Sequence, residues 1–244
     1  MKITHYVNAM VLIEGQYSKI LCDPWITYNK KNKADIYNFP EIKITDKEIS
    51  KIKPDFIYIT HTHSDHFDPQ TLSLFDKSTP IIISWYEHNF TARMIGNLGF
   101  TDIRISDREQ GISLNKKDKC WINPGTLYPD TDSVGFFKVD GNTICNFNDN
   151  PFSSSYVLDK VKKYGPIDIA IIPFAGHGPY PMFYTNLKGK ALEDKANNKK
   201  LKYFNEFVEY INIIQPKYTI PSAGGVVCAG KKALRYKYSG IGTK

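Results

Sequence analysis

The chain has 244 residues, a formal charge of +7, 41% hydrophobic residues and 23% charged ones. Those proportions are those of a soluble globular protein with room for one large core or two small ones. No apolar run approaches the roughly 18 residues of a membrane span, and the opening "MKITHYVNAMVLIEG" is not a signal peptide, so a cytoplasmic protein without a membrane span is expected.

Cys22, Cys120, Cys145 and Cys228 lie far apart with no C-x-x-C pair, which suggests neither a disulfide framework nor a zinc ribbon. Basic residues gather in three places: Lys30, Lys31 and Lys33; Lys199, Lys200 and Lys202; and Lys231, Lys232, Arg235 and Lys237. They read either as solvated surface or as attraction for an anionic small-molecule substrate. No recognition helix, zinc finger or stacking motif accompanies the charge, so nucleic acid is not an expected partner.

In chain order, the apolar or alternating runs predict strands at "MVLIE", "SKILCD", "FIYIT", "PIIIS", "TDIRIS", "KCWIN", "SVGFFKV" and "NTICNF". "VDGNTI" supplies an Asp-Gly hairpin turn between the last two. Helices are predicted over residues 70–76, 86–97 and 153–163. "IDIAIIPF" reads as a buried strand, an amphipathic helix should follow over residues 192–214, and "KYTIP" is a last strand. Two packed sheets with helices outside, a layered α/β arrangement, fit this order. Several strands end in polar residues at Asp23, His61 to His66, Asp149 and His177, where a ligand site should gather on loops held by a rigid sheet.

The densest of these endings is "IYITHTHSDHFD", which places three of the chain's six histidines within six residues. His61 and His63, two apart on a segment leaving a strand, point the same way in extended backbone and can clasp one metal ion. Asp68 is a helix N-cap with Pro69 at the first helical position, and Asp65 and His66 lie on the tight path between. Imidazole with carboxylate suits zinc, iron or manganese. Further ligands must come from elsewhere. Asp149 in "NFNDNP" ends a strand at a turn and is placed to bridge two ions or to serve as an ordinary Asx-turn. His177 in "IIPFAGHGPYP" is either a ligand or a substrate-facing residue, and Asp23 in "LCDPWI" is positioned to hydrogen-bond a metal-bound histidine. His5 and His88 have no acidic or histidine company and read as structural.

"THTHSDHFD" resembles the HxHxDH signature of the metallo-β-lactamase superfamily. The resemblance implies a four-layer αβ/βα sandwich of two mixed sheets flanked by helices, spanning residues 1–244 as a single domain, whereas the hydroxylase it resembles continues further at its C-terminal side. Within the superfamily the chain is similar to the branch holding L-ascorbate-6-phosphate lactonase, N-acylphosphatidylethanolamine phospholipase D and, nearest, the metallo-β-lactamase-like part of CMP-N-acetylneuraminate hydroxylase. "VLIEGQYSKILCDPWI", "IYITHTHSDHF", "NFND", "FAGHGPYPM" and "QPKYTIPSAGG" carry that likeness. It implies His61, His63, Asp65, His66 and Asp149 as metal ligands and Asp23 as the early motif aspartate. The chain also departs from the family. "LYPDTDS" places Tyr128 at or near the third-motif histidine, "IPSAGG" offers Ser222 where hydrolases carry a final histidine, and Asn8 stands where relatives often have histidine.

Three readings follow. The first is a hydrolase with one or two ions, zinc or else iron. It would act on a phosphorylated or otherwise anionic metabolite, with Asp65 as ligand or proton acceptor and Tyr128 and His177 positioning substrate. The second is a non-haem iron or di-iron oxygenase acting on a nucleotide sugar or related metabolite. A Rieske centre needs C-x-H pairs and this sequence has none, so electrons would come from a separate protein. The third is a binding protein with a degenerate site.

Overall fold

The computed structural model describes residues 1–26, 36–40, 44–107, 110–125, 132–149, 152–176, 178, 180–224, 226–228 and 230–241. From the amino terminus, β1 (Lys2–Val7), β2 (Met10–Glu14) and β3 (Lys19–Cys22) form an antiparallel meander. A short strand β4 (Ile36–Asn38) and a one-turn helix α1 (Asp46–Ile49) precede β5 (Phe56–Tyr58). Then come α2 (Pro69–Leu72), β6 (Ile81–Ser84), α3 (Phe90–Asn97) and β7 (Ile103–Ser106); β5, β6 and β7 extend the same sheet in parallel.

The second sheet repeats the plan. Strands β8 (Ile112–Ser113), β9 (Lys119–Pro124), β10 (Ser133–Val139) and β11 (Asn142–Asn146) are antiparallel. After α4 (Ser154–Tyr164), β12 (Ile169–Pro173) joins in parallel, and after α5 (Gly189–Ile214), β13 (Tyr218–Ser222) does the same. Strand β14 (Val226–Cys228) pairs with β4, and a 3-10 segment spans Gly230–Tyr238.

The two-residue period of a strand sorts the core into three layers. Val11 and Ile13 of β2, Phe56 and Tyr58 of β5, and Phe137 and Val139 of β10 fill the space between the sheets. Met10, Leu12, Ile57 and Ile81 face the other way, onto Leu72 of α2 and Ile95 of α3. Val134, Phe136, Cys145 and Ile172 cover the second sheet's outer face beneath Val157 of α4 and Tyr210 of α5. Helix, sheet, sheet, helix is the four-layer sandwich expected. Strands buried on both faces need apolar residues at every position, which is why Ile81, Ile82 and Ile83 form an unbroken run.

The differences from the sequence reading lie at edges. Strand β1 was not foreseen, because its burial is partial along most of its length. Helix α1 was missed although its "TDKE" is a capping box, with Thr45 and Glu48 each bonding the other's backbone. Helix α2 ends at Leu72 instead of Asp76, since Asp76 turns back to accept from Ser78 N at 2.8 Å. Helix α3 starts at Phe90 instead of Tyr86, whose side chain is buried with its hydroxyl 3.3 Å from Thr60 O. The Asp140-Gly141 turn is as expected: both residues have positive φ, 50° and 77°, which the I′ hairpin requires.

Among the described residues no helix is long and apolar enough to cross a membrane.

Candidate metal centre

The hairpin of β10 and β11 explains why acids from distant positions meet. Its turn lies far from its open end, and Gly135 pairs with Asn146 near that end. Asp132, one residue before β10, and Asp149, three residues past β11, leave the hairpin at this end, and the charge of Asp149 acts on the Asp132 carboxyl. The open end faces the loop that leaves β5, where Tyr58 of that strand bonds Ser133 Oγ at 2.9 Å. The carboxyl ends of β3 and β5, which run parallel, deliver Asp23 and Thr60 to His66 to the same rim.

Asp23 is fully buried and organises the loop. Its carboxylate accepts from Thr60 N at 2.8 Å, from Thr60 Oγ1 at 2.7 Å and from His66 Nδ1 at 2.8 Å. With the Thr60 proton given to Asp23, that hydroxyl has lone pairs left for His61 Nδ1 at 3.0 Å. Both imidazoles thus have Nδ1 engaged, which leaves Nε2 as the atom each would offer a metal ion in place of a proton. Those Nε2 atoms converge. His61 Nε2 lies 2.8 Å from His63 Nδ1 and 3.8 Å from Asp149 Oδ1. His66 Nε2 lies 3.4 Å from Asp149 Oδ2 and 3.6 Å from Asp65 Oδ2. Asp149 therefore turns one oxygen toward each group.

Donor atoms of His61, His63 and Asp149 all fall within 4.8 Å of one another, a spacing that one metal ion spans. Among the described residues, buried His66 Nε2 makes no hydrogen bond of good geometry; it faces the Asp149 and Asp65 carboxylates at 3.4 and 3.6 Å, a setting that suits a cation between them. The electrostatics agree. Burial alone would hold His66 neutral, but Asp149, Asp65 and Asp23 outweigh it and raise its pKa well above the usual histidine range. Burial pushes Asp149 up, and His66, His61 and His63 together pull it below the ordinary carboxylate range. His61 goes the other way, lowered well below its usual value by burial first and His66 second. An acid-rich pocket that favours positive charge on a buried imidazole fits a divalent cation.

The remaining expectations divide. Tyr128 and His177 lie outside the described residues. Ser222 is fully buried, and its hydroxyl donates to Asn8 O at 3.3 Å, away from any ligand role. Asn8, noted in the sequence as a departure, donates to Asp65 Oδ2 at 3.0 Å and accepts from Gly224 N at 3.2 Å, so it ties Asp65 to the loop after β13. His5 stays structural, its Nε2 2.8 Å from Asn8 O.

Asp132 was missed. It is buried, with its carboxylate 3.4 Å from His61 Nδ1, and burial followed by repulsion from Asp149 raises its pKa to about 6. The hairpin, followed back from Asp140-Gly141 to its open end, was the signal that could have found it.

Backbone strain gathers here as well. Asn8, Asp23, Asn148 and Ala223 have φ of 48°, 42°, 49° and 53°, the left-handed region that non-glycine residues rarely occupy. Beneath the loop, Ser133 Oγ donates to Thr60 O at 2.8 Å while accepting the buried Tyr58 hydroxyl. Replacing Ser133 by alanine strands the Tyr58 hydroxyl and leaves Thr60 O with only the 3.3 Å bond from Tyr86. The expected cost is about 1–3 kcal/mol, lowering Tm by roughly 2–10 °C in thermal denaturation; an unchanged Tm would contradict the network.

A family model described as "Beta-lactamase superfamily domain" matches residues 2–223. A putative Rieske 2Fe-2S iron-sulfur protein of Mycolicibacterium smegmatis is 26% identical over 231 residues, covering 92% of this chain and 43% of its own length. The chain thus spans less than half of that relative. A UPF0173 metal-dependent hydrolase of Carboxydothermus hydrogenoformans is 26% identical over 237 residues, with 91% of this chain and 83% of the relative covered. Cytidine monophosphate-N-acetylneuraminic acid hydroxylase of Asterias rubens is 24% identical over 237 residues, or 91% of this chain and 34% of that one. Among solved structures, isothiocyanate hydrolase from Delia radicum gut bacteria superposes with a TM-score of 0.65 at 17% identity, covering 98% of this chain and 92% of that one. CmlA, a diiron beta-hydroxylase from Streptomyces venezuelae, gives 0.63 at 15% identity, covering 99% and 47%. At these identities the two structures share the fold.

Proposed function

The chain belongs to the beta-lactamase superfamily domain family, and on that premise we propose that it is a metal-dependent hydrolase of a phosphorylated or otherwise anionic small metabolite. The observation that carries this reading is the buried His66 Nε2 facing the Asp149 and Asp65 carboxylates beside the His61–His63 pair. His61, His63 and Asp149 would hold an ion, and His66 and Asp65 would add donors for one or two ions in all. A divalent ion there, zinc in the first instance, lowers the pKa of bound water toward neutrality and polarises the substrate oxygen it faces.

The protein's own contribution is placement. Asp23 and Thr60 fix the ring planes of His66 and His61, so their Nε2 atoms cannot swing out of the cluster. Asn8 holds Asp65 at one oxygen, and Asp65 either completes the donor set or accepts the proton from the attacking water. The net charge of +7 favours approach of an anion.

The second reading, an iron or di-iron oxygenase fed by an external electron donor, is favoured by the likeness to the Asterias rubens hydroxylase and by a donor set of nitrogen and oxygen that iron accepts. Elemental analysis of protein purified without chelator, with an optical spectrum in air, separates the two. Zinc at about one or two ions per chain, with hydrolysis of bis(p-nitrophenyl) phosphate lost on chelation and restored by zinc, is the expected result. Stoichiometric iron with oxygen-sensitive absorption selects the oxygenase. Protein that holds no metal even after reconstitution overturns both.

A further inference from the structure

A polar cavity of about 420 Å³ lies between α5 and the segment beyond β12, lined by Lys195, Asn198, Lys199, Lys202 and Tyr203 of the helix and by Gly178 and Tyr180. The spacing of the first four, i, i+3, i+4 and i+7 along α5, puts them on one helix face. Three ammonium groups on one stripe repel each other, an arrangement that a helix surface disfavours unless something negative lies between them.

Lys199 sharpens the argument. It is half-buried, and burial lowers its pKa. Its Nζ donates to the neutral carbonyl of Tyr180 at 2.8 Å. Among the described residues neither Lys195 nor Lys199 pairs with a carboxylate, and Lys202 meets Glu206 at 3.7 Å on exposed surface. A partly desolvated charge without a counter-charge is unfavourable on its own. Lys195 and Lys202 are exposed and Lys199 is half-buried, and the three line a concavity of the size that ligand pockets have.

The cavity's position links it to the cluster. Gly176, three residues past β12, has no room for a Cβ, because the Tyr203 ring would lie within 1.9 to 2.4 Å of it. Tyr203 is therefore packed on the loop leaving β12. That strand runs parallel beside β11, whose end leads to Asp149. Asp149 and the Tyr203 wall thus belong to neighbouring strand ends.

We propose that this cavity is an oxyanion site that takes the phosphate, or a comparably charged group, of a small metabolite. That the occupant is part of the substrate turned over at the cluster rests on the hydrolase reading; the binding itself does not.

The test uses chelator-treated full-length protein and pyrophosphate as the probe, titrated calorimetrically at fixed ionic strength because exposed charges are screened by salt. Wild-type protein should bind, and K195Q/K199Q/K202Q should bind at least about tenfold more weakly with unchanged circular dichroism. K195Q/K202Q, which spares the half-buried lysine, should show a smaller loss of about threefold and serves if the triple variant misfolds. H61A/H63A should bind as wild type does. Absence of binding to the metal-free wild type, no change in both lysine variants, or loss of binding in H61A/H63A would each overturn the proposal. Because metal is removed throughout, a failed hydrolase assignment leaves this result readable.

Discussion

An H61A/H63A double variant is expected to emerge from purification and metal reconstitution with metal at background level, while its circular dichroism stays that of the wild type. The argument is one of ligand count. A four-ligand structural zinc site contributes about 10–16 kcal/mol, or roughly 3 kcal/mol per ligand, so removing two should weaken binding by about four orders of magnitude. The fold should survive, because His63 is exposed and the partners of the buried His61 ring, namely Thr60, His63, His66, Asp132 and Asp149, all belong to the cluster itself and none to the three apolar core layers. Metal content equal to wild type by elemental analysis would refute the assignment of these two side chains as ligands. A parallel loss of hydrolysis is expected and would by itself be weaker evidence, since misplacement of substrate also lowers a rate.

Asp23→Asn should have the largest effect on stability. The side chain keeps its shape but exchanges a carboxylate oxygen for a donor, in a place where Thr60 N, Thr60 Oγ1 and His66 Nδ1 all present donors. Turned one way, the amide N–H faces Thr60 N; turned the other, it faces Thr60 Oγ1 and His66 Nδ1, which can accept it only by giving up their own bonds to residue 23 and, for His66, the Nδ1 proton. Losing the partner of a buried charged hydrogen bond costs about 2–4 kcal/mol, or a fall of roughly 5–15 °C in Tm for a chain of this size. The same change frees the His66 ring, and loss of such a supporting contact lowers metal affinity by about 10–100-fold. The two effects are read separately, by thermal melts of the chelated protein and by competition with a metal indicator. Asp23→Asn with wild-type values in both would show that the network around Thr60 carries no weight.

The candidate site was legible in the sequence to the extent that it is local. His61, His63, Asp65 and His66 lie on one tight loop, and the bonds from His66 N and Phe67 N to His63 O, at 3.0 and 2.8 Å, show a turn closed by its own backbone. Asp68 caps α2 as its position before Pro69 requires. Asp149 and Asp23 were visible as acids ending strands. Asp132 was not singled out, because an aspartate before a strand has no local mark of function; Asp149 at the same end of the hairpin supplies it. Thr60 was invisible for a similar reason. A threonine at a strand end is ordinary until Asp23 and two imidazoles surround it.

What the sequence determined by itself was the set of strands and helices with strong periodicity, the Asp-Gly hairpin and the histidine loop. Each is decided by neighbours within a few residues, through pleat, turn geometry and capping. What the tertiary structure alone decided was the company these pieces keep: Asp132 with Asp149 at one end of the hairpin, Asn8 reaching from the first meander to Asp65 and to Gly224, and the lysines of α5 closing a cavity against the loop beyond β12. Those meetings join positions from about 15 to more than 200 residues apart, and they are fixed when sheets and helices bury their facing side chains against each other. Burial is read from a residue's own hydrophobicity, but the partner it is buried against depends on sheet order and packing that no short stretch of chain encodes.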